Sequence, residues 1–199
     1  INWNNDGTKL WASTPNSYGG ASSSLFEYAF TTPYDLSTGS YNNYDINFTS
    51  DVSLTPATEP RPWGLTFKPD GTKMFMTGWN GRVHAFNLST AWDISSFSYI
   101  GETSSSFTSQ DSNMQGLEFN PDGTKCFLVG RGTDKIFQYS LSVAWNVATM
   151  AYDDINLDVS VEGTPSQMAF NPTGTKLYVT GYTNNAIHQF SVQGLDVSE

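Results

Sequence analysis

The chain has 199 residues, of which 38% are hydrophobic and 15% aromatic, enough apolar material for the core of a folded domain. Nine Lys and Arg against 19 Asp and Glu give a net charge of −10, which repels phosphate backbones and disfavours nucleic acid as a partner. No segment approaches the ~20 consecutive apolar residues of a membrane span, so we expect no membrane insertion.

A tight-turn motif recurs four times along the chain. Its copies read NDGTK at 5–9, PDGTK at 69–73, PDGTK at 121–125 and PTGTK at 172–176. The glycines are 64, 52 and 51 residues apart (71−7, 123−71, 174−123). A period near ~50 residues is typical of the blades of a β-propeller.

Alternating apolar residues surround each copy of the motif, with the period of two that indicates β-strands. The aligned segments are Trp3, Phe67, Phe119 and Phe170 before the turn; Leu10-Trp11, Met74-Phe75, Cys126-Phe127 and Leu177-Tyr178 after it; a third strand with Phe26-Glu27-Tyr28, Val83-His84-Ala85-Phe86, Ile136-Phe137-Gln138-Tyr139 and Ile187-His188-Gln189-Phe190; and a fourth beginning at Tyr41, Tyr99 and Tyr152. We predict four strands, a to d, in each unit. The units are approximately 1–60, 61–112, 113–163 and 164–199, and the last lacks strand d.

The a–b turn has a specific conformation. In Asn120-Pro121-Asp122-Gly123, proline presets φ for the second position of a type I turn, and glycine takes the left-handed position that closes it. The four copies are nearly identical, which indicates a structural role.

Two segments of the c–d connections carry a further signature, LSTAWDIS at 88–95 and LSVAWNVA at 141–148. Together with the PDG turns, they make the units resemble blades of the WD40-like and YVTN-like propellers, and uncharacterised tandem repeats with a Leu-Ser-x-Ala-Trp-Asp-Ile-Ser signature. The resemblance implies an all-β propeller of four units spanning 1–199, as a single domain or a fragment of a larger propeller. The resemblance gives little information about function, because propellers include enzymes, lectins and scaffolds.

Three arrangements of the four units remain open: a closed four-bladed ring, part of a larger ring, or a ring completed by an oligomer. In each, the a–b and c–d turns emerge at one end of the propeller, here called the turn end. The d–a and b–c connections emerge at the other, the loop end. The loop-end segments vary in length and sequence, and variable loops on a rigid scaffold usually carry binding residues.

We therefore predict a ligand-binding surface at the loop end, where aromatic faces and polar groups combine as in glycan sites. Its candidate residues are Arg61, Trp63, Trp79, Arg82, Arg131, Tyr182 and Asn184. The alternative is that the tryptophans cover the core and the arginines solvate an acidic surface.

Four other groups of residues have structural interpretations. The series Asp35, Asp93, Asn146 and Asp196 recurs in every unit and is expected to cap its own turns. His84 and His188 are expected to be half-exposed strand residues, and Cys126 a buried, inert thiol. Glu118 stands on an inner strand where Thr66 and Ala169 are its equivalents, and one carboxylate is insufficient for two-carboxylate chemistry. No cofactor is predicted, and no motif supports calcium.

These observations favour a non-catalytic, lectin-like recognition module that binds a glycan or a protein surface. The abundance of Ser, Thr and Asn suits an extracellular or virion-associated protein. One alternative is a structural spacer in a phage tail or surface adhesin assembly. The second is a hydrolase or lactonase whose chemistry is centred on the channel.

Overall fold

The computed structural model describes residues 1–14, 24–48, 62–78, 81–192 and 195. Four antiparallel sheets follow one another along the chain as the blades of a propeller, and each is built from consecutive strands. The first three sheets have four strands and the fourth has three. The prediction of an all-β propeller of four blades is confirmed, and the described part of the last blade contains three strands.

The strands are short and joined mostly by tight turns. Blade 1 contains β1 (Asn2–Trp3), β2 (Lys9–Thr14), β3 (Ser24–Phe30) and β4 (Gly39–Asn47); blade 2 contains β5 (Gly64–Phe67), β6 (Lys73–Thr77), β7 (Val83–Leu88) and β8 (Phe97–Thr103); blade 3 contains β9 (Met114–Phe119), β10 (Lys125–Gly130), β11 (Lys135–Leu141) and β12 (Met150–Asp158); blade 4 contains β13 (Pro165–Phe170), β14 (Lys176–Gly181) and β15 (Ile187–Ser191). Each fourth strand begins two residues before the tyrosine at which the sequence predicts it. The reason is that backbone pairing with strand c begins at the first residue after the 3-10 turn and does not depend on the side chain at that position.

Buried side chains form three clusters, and each joins two successive blades. Alternate residues of a central strand contribute to different clusters: Cys126 and Leu128 pack with blade 2, whereas Phe127 and Val129 pack with blade 4. The side of a blade that meets the preceding blade is called its trailing side, and the other its leading side. Burial of both sides explains why the middle strands are apolar throughout.

A lysine from each of the first two a–b turns connects its blade to the next. Lys9 Nζ donates to the carbonyl oxygen of Trp92 at 2.9 Å, and Lys73 Nζ donates to that of Trp145 at 3.2 Å. Each lysine also forms an ion pair with a carboxylate of its own blade, Glu27 or Glu102, at 2.9 Å. Glu27 is buried and Glu102 is partly buried, so the pairs hold the c–d turn of the following blade more firmly than a surface pair would.

The Asx series caps its turns as predicted. The side-chain oxygens of Asp35, Asp93 and Asn146 accept hydrogen bonds from the backbone N–H two residues on, at 2.9–3.0 Å, at the start of a 3-10 turn. Asp196 lies outside the described residues. The burial predicted for Cys126 is also confirmed, and burial raises the pKa of its thiol.

The expectation of a half-exposed His84 is wrong. Its ring is fully buried, because it shares the trailing side of β7 with Phe86 and faces blade 1. Burial, with a smaller contribution from the charge of Arg82, lowers the pKa of His84 to about 4, which keeps the imidazole neutral at physiological pH. His188, by contrast, is partly exposed as expected.

Candidate functional site

A cavity of about 830 Å³ opens at the turn end of the propeller, between the innermost strands. All four blades contribute to its wall, through the a–b turns and the ends of the inner strands. Its size lies within the ~300–1,000 Å³ typical of small-molecule sites. The lining residues are Asn5, Thr66, Phe67, Pro69, Glu118, Phe119, Asn120, Pro121, Trp145, Phe170, Asn171, Pro172, Thr173 and Gly174.

Glu118 is the ionisable residue in this wall. It lies on β9 opposite Phe127 of β10, so both side chains point to the leading side of blade 3. Burial of its carboxyl group raises the pKa of Glu118 from 4.5 to about 7. A carboxyl group with that pKa is near half-protonation at neutral pH, where it can both accept and donate a proton.

The rest of the wall combines aromatic surface with neutral polar groups. Phe119, Trp145 and Phe170 supply aromatic side chains, while Thr66 and Asn5 supply a hydroxyl and an amide. The Asn5 amide donates to the carbonyl oxygen of Pro69 at 2.7 Å, which holds the first two turns together. The lining contains no lysine or arginine, so nothing in it can pair with a phosphate or carboxylate.

The loop-end residues predicted as a binding surface are divided between separate blades. Arg82 donates to the carbonyl oxygen of Ser104 at 2.6 Å, within blade 2 and the connection that follows it. The Arg131 guanidinium lies 5.0 Å from the centre of the Tyr182 ring, which brings blades 3 and 4 together. The Asn184 amide donates to the carbonyl oxygen of Val161 at 2.5 Å.

Trp63 is partly buried at the start of β5, and its carbonyl oxygen accepts a hydrogen bond from the Gln167 amide of blade 4 at 3.0 Å. Arg61 and Trp79 lie outside the described residues. The loop-end surface itself remains a prediction.

Two buried carboxylates that the sequence analysis did not single out also lie at the loop end. Asp111 accepts from the backbone N–H of Thr133 at 2.7 Å, and Glu162 accepts from that of Thr183 at 3.0 Å. Both residues occupy the same repeat position and join a d–a connection to the b–c loop of the following blade. Their repetition indicates a structural role, as it does for the Asx series.

The described residues bring no three His, Cys, Asp or Glu side chains together in a way that could hold a metal ion. Calcium prefers six to eight oxygen ligands, several of them carboxylates, and the cavity wall offers Glu118 alone. The residues that line the cavity therefore do not fit a calcium site. The same described part of the chain contains no helix long and apolar enough to cross a membrane.

No protein-family model and no curated protein sequence matches the chain. Solved structures do match: a candidate 6-phosphogluconolactonase from Bacteroides uniformis and the periplasmic gluconolactonase of Pseudomonas aeruginosa, each with 15% identity and a TM-score of 0.58. A candidate 6-phosphogluconolactonase from Bacteroides fragilis matches with 13% identity and a TM-score of 0.54. Each match covers 97% of this chain and 53% of the other, so the chain spans about half the length of these structures. At such identities the likeness shows the fold alone.

The prediction of a non-catalytic, lectin-like module is contradicted. The matching structures above are described as lactonases, and the large cavity with a perturbed carboxyl group lies at the turn end. The prediction failed because loop variability was taken as the sign of function. The signal that could have located Glu118 is a carboxylate on an inner strand, at a position where the neighbouring blades have Thr66 and Ala169.

Proposed function

We propose that the chain carries a hydrolytic site for a small lactone at the turn end of the channel, with Glu118 as the general base. The observation that supports this most is the Glu118 carboxyl group, whose pKa is raised to about 7 at the wall of an 830 Å³ cavity. General bases are most efficient when their pKa lies near the working pH. The lactonases with the same fold supply the reaction class.

The reaction needs one proton acceptor and the return of that proton. The Glu118 carboxylate takes a proton from water as the water oxygen bonds to the carbonyl carbon of the lactone. The tetrahedral intermediate then breaks the bond between that carbon and the ring oxygen. Glu118 returns the proton to the ring oxygen, which leaves as the hydroxyl group of an open hydroxy acid. Thr66 and Asn5 offer the neutral donors that can stabilise the oxyanion.

The substrate we propose is uncharged. The cavity wall contains no cation, and the whole chain carries a net charge of −10, so a phosphorylated lactone would enter without a partner for its charge. The aromatic side chains of Phe119, Trp145 and Phe170 suit the apolar face of a sugar ring. We expect kcat/KM for glucono-1,5-lactone to exceed that for its 6-phosphate by at least about tenfold.

Loss of the base tests the proposal. In Glu118→Gln, kcat for lactone opening should fall by about 100-fold or more, because an amide cannot accept the proton from water. In the unmodified protein, kcat should rise with pH through about 7, as the carboxylate forms. The assay is a pH-stat measurement corrected for spontaneous hydrolysis.

Glu102→Gln is the matched control, since it removes another partly buried carboxylate, which does not line the cavity. It should lower stability while leaving kcat unchanged in the folded protein. Equal activity of Glu118→Gln and the unmodified protein would overturn the proposal. Loss of activity in EDTA that calcium restores would also overturn it, because the catalytic role would then belong to a bound ion.

We also propose an extracytoplasmic location. Two features support it: the Ser-, Thr- and Asn-rich composition, and the periplasmic location of the Pseudomonas relative. Fractionation of the source cells tests it, and recovery in the cytoplasmic fraction alone would contradict it.

A further inference from the structure

The inner strands of blades 2, 3 and 4 meet between the cavity and the loop end. Gly64, Gly116 and Gln167 occupy the same repeat position there, and together they are called the floor. A Cβ at Gly64 would lie 2.2 Å from the carbonyl oxygen of Gln115, and one at Gly116 would lie 3.0 Å from that of Ser166. The two glycines therefore allow the backbones of successive inner strands to approach more closely than any side chain would permit.

The side chain of Gln167 adds a connection between blades that are not neighbours. Its amide donates to the carbonyl oxygen of Trp63 at 3.0 Å, which joins blade 4 directly to blade 2. The lining of the cavity begins two residues further along these strands, with Thr66 and Glu118. Glu118 therefore lies at the bottom of the cavity, directly above the floor.

The wall above Glu118 is deeper than a single sugar ring. Strand β9 and the turn after it place Phe119, Asn120 and Pro121 in succession along this wall. At ~3.3 Å per residue, the three steps from Glu118 to Pro121 cover about 10 Å. A glucono-1,5-lactone has about twelve non-hydrogen atoms, fewer than the drug-sized ligands that cavities of up to ~1,000 Å³ enclose. One ring beside Glu118 would leave the outer part of the 830 Å³ cavity to water.

The outer part of the cavity suits neutral groups that carry hydroxyls. The a–b turns of all four blades form its rim, with amide, hydroxyl and proline side chains and without a charged one in the lining: Asn5, Pro69, Pro121, Pro172 and Thr173. Amide and hydroxyl groups can both donate to and accept from sugar hydroxyls, while proline rings pack against C–H groups. The rim therefore offers contacts to a second sugar ring.

We propose that the substrate is the terminal lactone of a neutral oligosaccharide of at least two rings, which enters the cavity lactone first. This inference rests on the lactone hydrolysis proposed above and names its substrate class. The lactone ring occupies the bottom of the cavity beside Glu118, and the second ring lies at the rim near Thr173. The floor, closed by Gln167, stops the substrate at the level of the carboxylate. A third ring lies outside the cavity.

A series of lactones that differ only in ring number tests this inference. For the unmodified chain, kcat/KM should rise by at least about tenfold from glucono-1,5-lactone to cellobiono-1,5-lactone, because contacts of the second ring at the rim contribute to binding of the transition state. It should rise by less than about twofold more for the cellotriose lactone, whose third ring gains no contact inside the cavity.

The same series separates this inference from the proposed function. Equal values for one and two rings, with turnover present, would overturn the inference and leave lactone hydrolysis standing. Turnover of none of the three would overturn the proposed function. The unreactive lactams of glucose and cellobiose then test the substrate class by calorimetry: the two-ring lactam should bind at least about tenfold more tightly, and equal affinities would overturn the inference.

A substitution at the rim tests where the second ring lies. Thr173→Trp narrows the rim, and it should lower kcat/KM for the two-ring lactone by at least about fivefold while that for the one-ring lactone stays within about twofold. Val143→Trp is the matched control, since it adds the same side chain at a residue that is 55% exposed in a c–d turn and does not line the cavity. It should change neither value. Equal losses for both lactones in Thr173→Trp, in a protein folded by circular dichroism, would overturn the placement at the rim.

Discussion

The turn end and the loop end of the propeller differ in how much they vary between repeats, and the less variable end contains the cavity. The turn end is nearly identical in every repeat, yet it encloses the large cavity and holds Glu118 in its wall. The loop end varies from repeat to repeat, yet Arg82, Asn184 and the Asp111 carboxylate bond to groups of their own chain.

This comparison teaches that variation between repeats does not by itself locate a site, because variable residues such as Arg82 and Asn184 also bond within their own chain. A single ionisable side chain in the wall of a cavity is more informative. At the turn end, the repeated turns build the wall, and Glu118, at a strand position that differs in each blade, brings a proton acceptor to it. The following substitutions separate the two ends.

The largest expected effect lies in the turn end, at Gly123, whose φ of +75° is shared by Gly101 within strand β8. A Cβ at Gly123 would lie 2.2 Å from the Trp145 ring, whereas nothing lies within 4 Å of one at Gly101. Gly101→Ala should lower the free energy of unfolding by about 1 kcal/mol, the cost of the left-handed conformation alone. Gly123→Ala should lower it by about 3 kcal/mol, because the indole must leave Phe75 and Phe119. Urea unfolding measures both, and equal losses would show that the turn end is not rigid.

A smaller effect, of opposite sign, is expected at the cavity wall. The pKa of Glu118 rises from 4.5 to about 7 on folding, so its contribution to stability is present below pH 4.5 and is lost as the pH rises through 7. Glu118→Gln should therefore be more stable than the unmodified protein at pH 8.5, by on the order of 2 kcal/mol, and about equal at pH 4.5. A gain in stability with a loss of activity is the signature of a functional residue.

Asp70→Asn is the control for this pH dependence. Burial would raise the pKa of Asp70, but hydrogen bonds from Lys68 and Thr72 outweigh it and hold the pKa at about 2. Its effect should stay constant between pH 4.5 and 8.5. A Glu118→Gln difference that is equally flat would contradict the raised pKa.

The smallest effect is expected at the loop end. Arg131→Ala removes the contact between the guanidinium and the Tyr182 ring, both at the surface, and should lower the free energy of unfolding by less than about 1 kcal/mol. Lactone turnover should not change, because Arg131 is distant in the fold from the turn end. A tenfold fall in kcat/KM would place the substrate at the loop end and would contradict the assignment of the reaction to the turn end.

The fold could be predicted from the sequence because its determinants are local and repeated. The PDG turns, the two-residue alternation and the Asx caps each depend on a few neighbouring residues, and four copies reinforced one another. The burial of His84 could not be predicted in this way, because its own strand leaves one side open and another blade covers it.

The pKa of Glu118 was still harder to predict from local sequence. The sequence placed it on an inner strand, but the pKa of its carboxyl group depends on surroundings drawn from several blades. Only the packed structure sets the solvation of that group. The depth of the cavity likewise depends on turns that are more than 100 residues apart in the chain.

The lysines that connect successive blades have a consequence for heat inactivation. Lys73 spans from blade 2 to a carbonyl oxygen in blade 3, whereas Lys176 of blade 4 bonds to Ser191 within its own blade at 3.4 Å. Blade 4 also exposes most of strand β15. Segments whose side chains are exposed and bond mainly within their own module open at a lower free energy than packed ones. Because Phe170 to Gly174 form part of the cavity wall, we expect warming to abolish turnover while the first three blades are still folded.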